Sequence, residues 1–111
     1  LELHIEPLYL TVERAIPCGL ILNELVTNAL KHAFPDGRPG MIRVGFHRIS
    51  KRELVLSVTD DGVGLPQSFS TQKSDSLGMK LVSTLVEQLK GRLDITSPGG
   101  TAFTITFPEV N

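Results

Sequence analysis

The hydrophobic positions change their period along the chain. Over 1–12, on either side of Pro7, apolar residues alternate with polar ones, which predicts two short strands or one broken strand. Over 15–34 they recur at intervals of three and four, which predicts a long helix with one buried face. That face is expected to carry Leu22, Leu25, Val26, Ala29, Leu30 and Ala33.

The rest of the chain continues with strands and one more helix. The turn sequence "PDGRPG" ends the first helix, and "SKR" joins the next two strands as a hairpin. A second helix is expected to stop at Gly91, before two strands that flank "SPGG". The predicted elements are strands at 41–49 and 53–59, a helix at 77–89, and strands at 92–96 and 101–107. This order predicts an α+β fold: a two-layer α/β sandwich whose mixed, mostly antiparallel sheet has helices on one face.

Length and composition narrow the class of protein. A chain of 111 residues predicts one domain, 1–111, with one core. The formal net charge of −1 indicates neither nucleic acid nor a membrane surface as a partner. Cys18 is the single cysteine, which favours a reduced, cytoplasmic setting. No stretch approaches the roughly 20 continuous apolar residues of a membrane helix, and the strand-like start suggests a piece of a longer protein.

The first predicted helix carries a stripe of polar residues. Glu24, Asn28 and Lys31 are spaced four and three apart, with Thr27 beside them, so they share one face. Such a stripe is either the solvated face of an amphipathic helix or a binding surface. Asn28 favours the second interpretation, because asparagine is a mediocre helix former unless its amide oxygen has a partner.

Two glycine patterns follow. The stretch "DDGVG" ends a strand with the carboxylates of Asp60 and Asp61 and the glycines Gly62 and Gly64. A glycine turn after a strand usually suggests phosphate binding, yet these carboxylates would repel a phosphate. "SLGMKLV" places Gly78 near a helix start, where free N–H groups suit an anion. Alone, each pattern also fits an ordinary turn or helix start.

In this order and at this spacing, the patterns resemble the ATP-binding domain of sensor histidine kinases, within the gyrase-like (Bergerat-fold) ATPase superfamily. "NELVTNALKHAF" resembles their N-box, "DDGVGLP" their first glycine box, "SLGMKLV" their second, and "GGTAFTITFP" their final strand. The stretch "AIPCGLILNELVTNALKHAF" and a short lid resemble most the second histidine-kinase acceptor-domain class. The resemblance covers the chain from Pro7 onward and implies ATP and Mg²⁺ as ligands.

The resemblance implies an adenine site. Asp60 matches the aspartate that accepts a hydrogen bond from the exocyclic amino group of adenine, with Thr101 bonding nearby. A carboxylate only accepts, so it distinguishes that amino group from the carbonyl of guanine. Gly62 and Gly64 would let the backbone pass close to the purine. His32 would border the nucleoside, or it is a partly exposed helix histidine.

The resemblance also implies a phosphate and metal site. Asn28 matches the asparagine whose side-chain oxygen holds Mg²⁺, and Lys31 matches a phosphate-contacting basic residue. Glu24 is assigned to metal-bound water or to proton handling. The second glycine box would bind the phosphates through Leu77, Gly78, Met79 and Lys80.

Two departures from the family pattern concern the phosphate loop and the lid. Ser76 stands where the second box usually begins with glycine. The segment 67–76 is polar and is expected to be a mobile lid that nucleotide orders; it has no clear phenylalanine box unless Phe69 serves.

The resemblance implies a protein-histidine kinase domain that transfers the γ-phosphoryl group of ATP. His4, His32 and His47 lie within the ATPase pattern, so the acceptor histidine is expected on an upstream dimerisation domain. The implied partners are that domain and the receiver domain of a response regulator, in a full-length homodimer that is cytoplasmic or anchored to a membrane elsewhere. Two alternatives stay open: an anti-sigma-factor-type serine/threonine kinase with the same boxes, and a degenerate module that binds a partner without nucleotide.

Overall fold

The computed structural model describes residues 1–33, 39–63, 77–97 and 99–109, except for the side chain of His32. Within these ranges the chain forms β1 (Glu2–Ile5), α1 (Val12–His32), β2 (Ile42–Ser50), β3 (Glu53–Asp60), α2 (Leu77–Gln88), β4 (Arg92–Thr96) and β5 (Thr101–Pro108). The expected lid at 67–76, with Phe69 and Ser76, and the predicted site residue Gly64 lie outside the described residues.

The strands described form one open sheet in the order β1-β2-β3-β5-β4. β1 runs parallel to β2, and every other neighbouring pair is antiparallel. The parallel pair requires a crossover, and α1 provides it. Lys51 and Arg52 form the turn of the predicted hairpin between β2 and β3. The sheet is therefore mixed and mostly antiparallel, as the order of elements predicts.

The alternation at 8–12 predicts a second N-terminal strand, and this prediction is wrong, because these residues form no strand. The N–H of Glu6 donates to the carbonyl of Phe46 at 2.9 Å, and Pro7 has no N–H with which to continue the ladder. Leu8 and Leu10 pack against the core from an irregular segment. The helix then begins at Val12, three residues earlier than predicted, because the Thr11 carbonyl accepts the N–H of Arg14 at 3.0 Å and of Ala15 at 2.8 Å.

The core lies between the helices and one face of the sheet. Alternate residues of β3 and β5 point to it, and register pairs such as Leu56 with Ile105 are fully buried. The central side chains of this core are Ile21, Leu25, Leu54, Leu56, Val58, Val82, Leu89, Ile105 and Phe107. Leu30 is an exception to the predicted apolar face, since it is 65% exposed. It lies about 100° around the helix from buried Ala29 and so points away from the sheet.

α2 ends close to its predicted stop. The N–H of Gly91 donates to the carbonyl of Val86 at 2.9 Å and closes the last turn, and Lys90 rather than the glycine adopts the left-handed conformation, with φ 58°. Gly91 is needed for a different reason. A Cβ there would lie 2.8 Å from the carbonyl oxygen of Thr106, on the neighbouring strand.

Cys18 lies on the buried side of α1 and is 5% exposed. Burial raises the pKa of its thiol to about 11, and the charge of Arg14 opposes that rise. A thiol with this pKa is unreactive, so Cys18 is a core residue. Among the described residues, no helix has the length and the hydropathy that crossing a bilayer requires.

Candidate functional site

The ends of β3 and β5 bring two predicted site residues together. Asp60 is the last residue of β3 and stands opposite Thr101, the first residue of β5. Thr101 is 5% exposed, and Asp60 is half-buried. Oδ1 of Asp60 accepts the N–H of Gly62 at 2.9 Å, which fixes the carboxylate in a short turn. Among the described residues, Oδ2 of Asp60 has no hydrogen bond.

Gly62 lies against the C-terminal end of α1. A Cβ at this position would overlap the carbonyl oxygen and the Cβ of Ala33. The N–H of the next residue, Val63, donates to the same carbonyl at 2.9 Å. The turn after β3 is therefore fastened to the helix that carries the polar stripe, and Gly62 has a packing reason to lack a side chain.

Gly100 fits closely onto the end of β3. Its φ is 156°, and a Cβ there would overlap the carbonyl oxygen of Asp60 and lie 2.9 Å from Cα of Asp61. Oγ of Ser97 donates to the carbonyl of Gly100, which closes the turn before β5. Gly100 is not among the residues predicted from the sequence, although the glycine pair before Thr101 is a signal for a close approach. We call Asp60, Gly62, Gly100 and Thr101 the strand-end cluster.

Asp61, the second carboxylate of the pair, has a different environment from Asp60. Its Oδ1 accepts the N–H of Met41 at 2.8 Å, and its own N–H donates to the Met41 carbonyl at 3.3 Å. The side chain is exposed and holds the segment that leads into β2. The two adjacent aspartates thus have different roles. Asp60 faces Thr101, whereas Asp61 holds the segment before β2 in place.

The polar stripe of α1 meets the first turn of α2. Glu24 and Asn28 are half-buried, and Nδ2 of Asn28 donates to Sδ of Met79 at 3.5 Å. A Cβ built on Gly78 would overlap the carboxylate of Glu24. We call Glu24, Asn28, Gly78 and Met79 the interhelix cluster.

The remaining predicted residues differ in exposure. Lys31 is exposed at the end of the stripe, and Leu77 and Lys80 are exposed on α2. Met79 is 3% exposed, so its side chain belongs to the core and not to an open site. The side chain of His32 lies outside the described part of the chain.

The interhelix cluster suits a hard cation that takes few protein ligands. Glu24 and Asn28 stand one helical turn apart and offer a carboxylate and an amide oxygen, which are ligands that Mg²⁺ accepts. Among the described residues, no group of three or more His, Cys, Asp or Glu side chains could hold a metal by itself. The residues therefore fit an ion whose other ligands are phosphate and water oxygens.

The open sheet, the helices on one face and the two clusters define a class of ATPase. Residues 13–111 match the family described as histidine kinase-, DNA gyrase B-, and HSP90-like ATPase, and the chain belongs to this family. Membership confirms the resemblance drawn from the four boxes and the prediction of an ATP-binding domain.

Relatives in this family are sensor kinases. The chain is 47% identical over 83 residues to the sensor histidine kinase PdtaS of Mycobacterium tuberculosis (strain ATCC 25618 / H37Rv), a match that covers 73% of this chain and 16% of the relative. It is 37% identical over 98 residues to the blue-light-activated histidine kinase 2 of Erythrobacter litoralis (strain HTCC2594), covering 87% of this chain and 28% of the relative. The chain thus spans less than a third of either relative.

A solved structure shares the whole fold. The EL346 blue-light activated histidine kinase of Erythrobacter litoralis superposes with a TM-score of 0.91 at 33% identity, over 97% of this chain and 34% of that chain. This agreement confirms the predicted two-layer α/β fold.

Proposed function

We propose that this chain is the catalytic domain of a sensor histidine kinase, which binds ATP with Mg²⁺ and transfers the γ-phosphoryl group to a histidine on an upstream dimerisation domain. The observation that carries the proposal is the position of Asp60 beside buried Thr101: Gly62 holds one oxygen of its carboxylate, and the other oxygen has no hydrogen bond to any described residue. A fixed acceptor at the end of a sheet suits recognition of a base.

Asp60 would select adenine. Its Oδ2 accepts a hydrogen bond from the exocyclic amino group, with Thr101 adding a second polar contact at the same edge. Guanine presents a carbonyl oxygen at the same edge, which a carboxylate repels. The hydrogen bond of 2.9 Å from the N–H of Gly62 to Oδ1 favours this orientation of the carboxylate.

The phosphates would lie between the stripe of α1 and the first turn of α2. Lys31 and Lys80 are exposed and supply positive charge at the border of this space. Leu77 begins α2, whose first N–H groups suit an anion. Asn28 would hold Mg²⁺ through Oδ1, since its Nδ2 is directed at Met79. When bound, the ion neutralises phosphate charge and orients the γ-phosphoryl group.

The transfer step would form a bond between an imidazole nitrogen of the acceptor and the γ-phosphorus. The bond from that phosphorus to the bridging oxygen of ADP breaks, and ADP leaves with the electron pair. The other ring nitrogen then loses its proton, for which Glu24 supplies the carboxylate of the stripe. Alignment of the reactants supplies most of the rate gain, because the loose transition state needs little covalent help.

The acceptor would come from outside this chain. His4 and His47 lie on the face of the sheet opposite the helices, as the alternation of β1 and β2 requires. Neither can reach a γ-phosphate beside Asn28. The receiver domain of a response regulator, a full-length homodimer and a cytoplasmic location of the domain belong to the same proposal.

Radiolabelled transfer tests this function. The 111-residue chain is incubated with [γ-³²P]ATP and Mg²⁺, alone and with the acceptor domain of its own full-length protein. We expect acid-labile label on the acceptor domain only, and its loss in Asp60→Asn but not in Asp94→Asn, a matched change at an exposed position of β4. Acid-stable label would favour the serine/threonine kinase alternative. If a titration of the chain with ATP and Mg²⁺ detects no binding, the proposal is rejected and the degenerate module is favoured.

A further inference from the structure

The carboxylate of Glu24 occupies the space that a side chain at position 78 would fill. A Cβ built on Gly78 would overlap Oε2 and the carboxyl carbon of Glu24 and would lie 2.7 Å from Oε1. At Gly62 and Gly100 the corresponding space holds carbonyl oxygens of the main chain. Gly78 is therefore fitted to a charged side chain on another helix.

Glu24 depends on this packing for its position. Its side chain is half-buried, and in the part of the chain that the structure describes no hydrogen bond or ion pair holds the carboxylate. The carboxylate instead lies against the first turn of α2, one helical turn away from the contact between Asn28 and Met79. The contact with Gly78 limits the directions that the Glu24 side chain can take.

We propose that Gly78 is a positioning residue for Glu24: its missing side chain creates the space that holds the Glu24 carboxylate and so fixes where this charge stands relative to the nucleotide phosphates. The role of the charge rests on the proposed function, whereas the contact is a property of the chain itself. On this basis the missing side chain of Gly78 acts on the nucleotide through Glu24.

A methyl group at position 78 would move the charge without damaging the fold. It meets the far end of a flexible side chain, which can rotate to another rotamer. Alanine is also a better helix former than glycine, so α2 loses nothing from the change. Gly78→Ala is therefore expected to keep the melting temperature of the parent and to change how the site responds to Mg²⁺.

A double-mutant cycle distinguishes an effect of Gly78 that is exerted through Glu24 from a direct effect of Gly78 on the nucleotide. ADP affinity is measured by calorimetry, with and without Mg²⁺, for the parent, Gly78→Ala, Glu24→Ala and the double variant. The quantity compared is the ADP affinity with Mg²⁺ divided by the affinity without it. In the parent background Gly78→Ala should lower this ratio about fivefold, a size typical of residues in contact. In the Glu24→Ala background it should change that ratio by less than about twofold. An equal change in both backgrounds overturns the proposal, because Gly78 would then act on the nucleotide directly.

A second measurement needs no nucleotide. Nuclear Overhauser spectra of the 111-residue chain should show a contact between the γ-methylene protons of Glu24 and the α protons of Gly78, and its absence in the parent would overturn the proposal. The Glu24 signals should shift in Gly78→Ala and stay in place in Gly19→Ala, a control in α1 where nothing lies within 4 Å of the added Cβ. If the parent binds no ADP, the proposed function fails while this contact still decides the role of Gly78.

Discussion

The two clusters of the site are assembled in different ways. In the strand-end cluster Gly62 and Gly100 approach carbonyl oxygens of Ala33 and Asp60, so main chain lies on main chain. In the interhelix cluster the first turn of α2 meets side chains, those of Glu24 and Asn28. Packed backbones move only together with their helix or strand, whereas side chains change rotamer within a folded protein. The end proposed for the base is therefore rigid, and the end proposed for the phosphates is adjustable.

The largest effect is expected from adding a side chain to the rigid end. Gly62→Ala drives a Cβ into the carbonyl oxygen of Ala33, which is tied to the turn by the N–H of Val63. We expect the free energy of unfolding in urea to fall by about 3 kcal/mol, the upper end for overpacked sites. The matched change Gly19→Ala meets nothing within 4 Å and should raise it by up to about 1 kcal/mol. Equal stabilities of the Gly62 variant and the parent would contradict the difference between the clusters.

The next effect concerns recognition at the rigid end. In Asp60→Asn, the N–H of Gly62 holds the amide oxygen, so the NH₂ group faces the base and meets the donor of adenine. ADP affinity measured by calorimetry should fall by about 1.5–3 kcal/mol, the range for a lost charge-assisted hydrogen bond. We expect this to be the largest loss of affinity from any single change. Asp94→Asn serves as the control on an exposed strand, and unchanged ADP affinity in Asp60→Asn would exclude the adenine assignment.

A smaller change in stability is expected at the adjustable end. Asn28→Ala removes a contact between N–H and sulfur and opens no cavity in the core, so the free energy of unfolding should fall by less than about 1 kcal/mol. The rise in ATP affinity that Mg²⁺ produces in the parent should be absent. Asn23→Ala, an exposed asparagine of the same helix, provides the control. A Mg²⁺ response equal to that of the parent would refute the metal role of Asn28.

The smallest effect is expected at the far end of the sheet, away from both clusters. Arg48 binds Glu109 through two hydrogen bonds of 2.5 Å, and these hold the pKa of the Glu109 carboxyl below its usual range. At this group the folded chain therefore binds fewer protons than the unfolded chain. The ion pair stabilises the fold at pH values above the pKa of Glu109 in the unfolded chain, and this stabilisation is lost as the pH falls through the pKa of Glu109 in the folded chain.

Glu109→Gln should therefore lower the melting temperature slightly at neutral pH and leave ADP affinity unchanged. The difference from the parent should disappear in acid, where Glu109 is protonated in both states. Glu53→Gln, at an exposed position of β3, controls for the loss of one negative charge. A difference between Glu109→Gln and the parent that persists unchanged in acid would show that the ion pair is not its cause.

Sequence periodicity predicted the elements whose side chains alternate against a core. β4 was predicted at its observed bounds, and β3 and β5 within one residue of theirs, because alternate residues such as Leu93 and Ile95 of β4 pack against the core. The same pattern misled at 8–12, where Leu8 and Leu10 pack against the core without a partner strand. At 8–12 the pattern indicates that Leu8 and Leu10 pack inward, but not whether a neighbouring backbone is present to pair with them.

Part of the candidate site was predictable from the sequence. Asp60 and Thr101 were assigned together from the resemblance, and the register places them opposite each other. The packing reasons for Gly62 and Gly78 were not predictable, because Ala33 and Glu24 reach them only through the way α1 crosses the turn after β3 and the start of α2. Contacts of this kind depend on how elements cross in space, which no local pattern in the chain encodes.

The buried position of Cys18 makes its thiol a reporter of the fluctuations in which α1 separates from the sheet. The thiol lies on the buried side of α1 and burial raises its pKa to about 11, so a thiol-specific reagent cannot modify it while the helix stays on the sheet. Modification must await a fluctuation that lifts the helix, and its rate under native conditions counts those fluctuations. Since α1 also carries the polar stripe, the rate of thiol labelling would show how often this side of the site separates from the sheet. Labelling with and without nucleotide would show whether a bound nucleotide slows that separation.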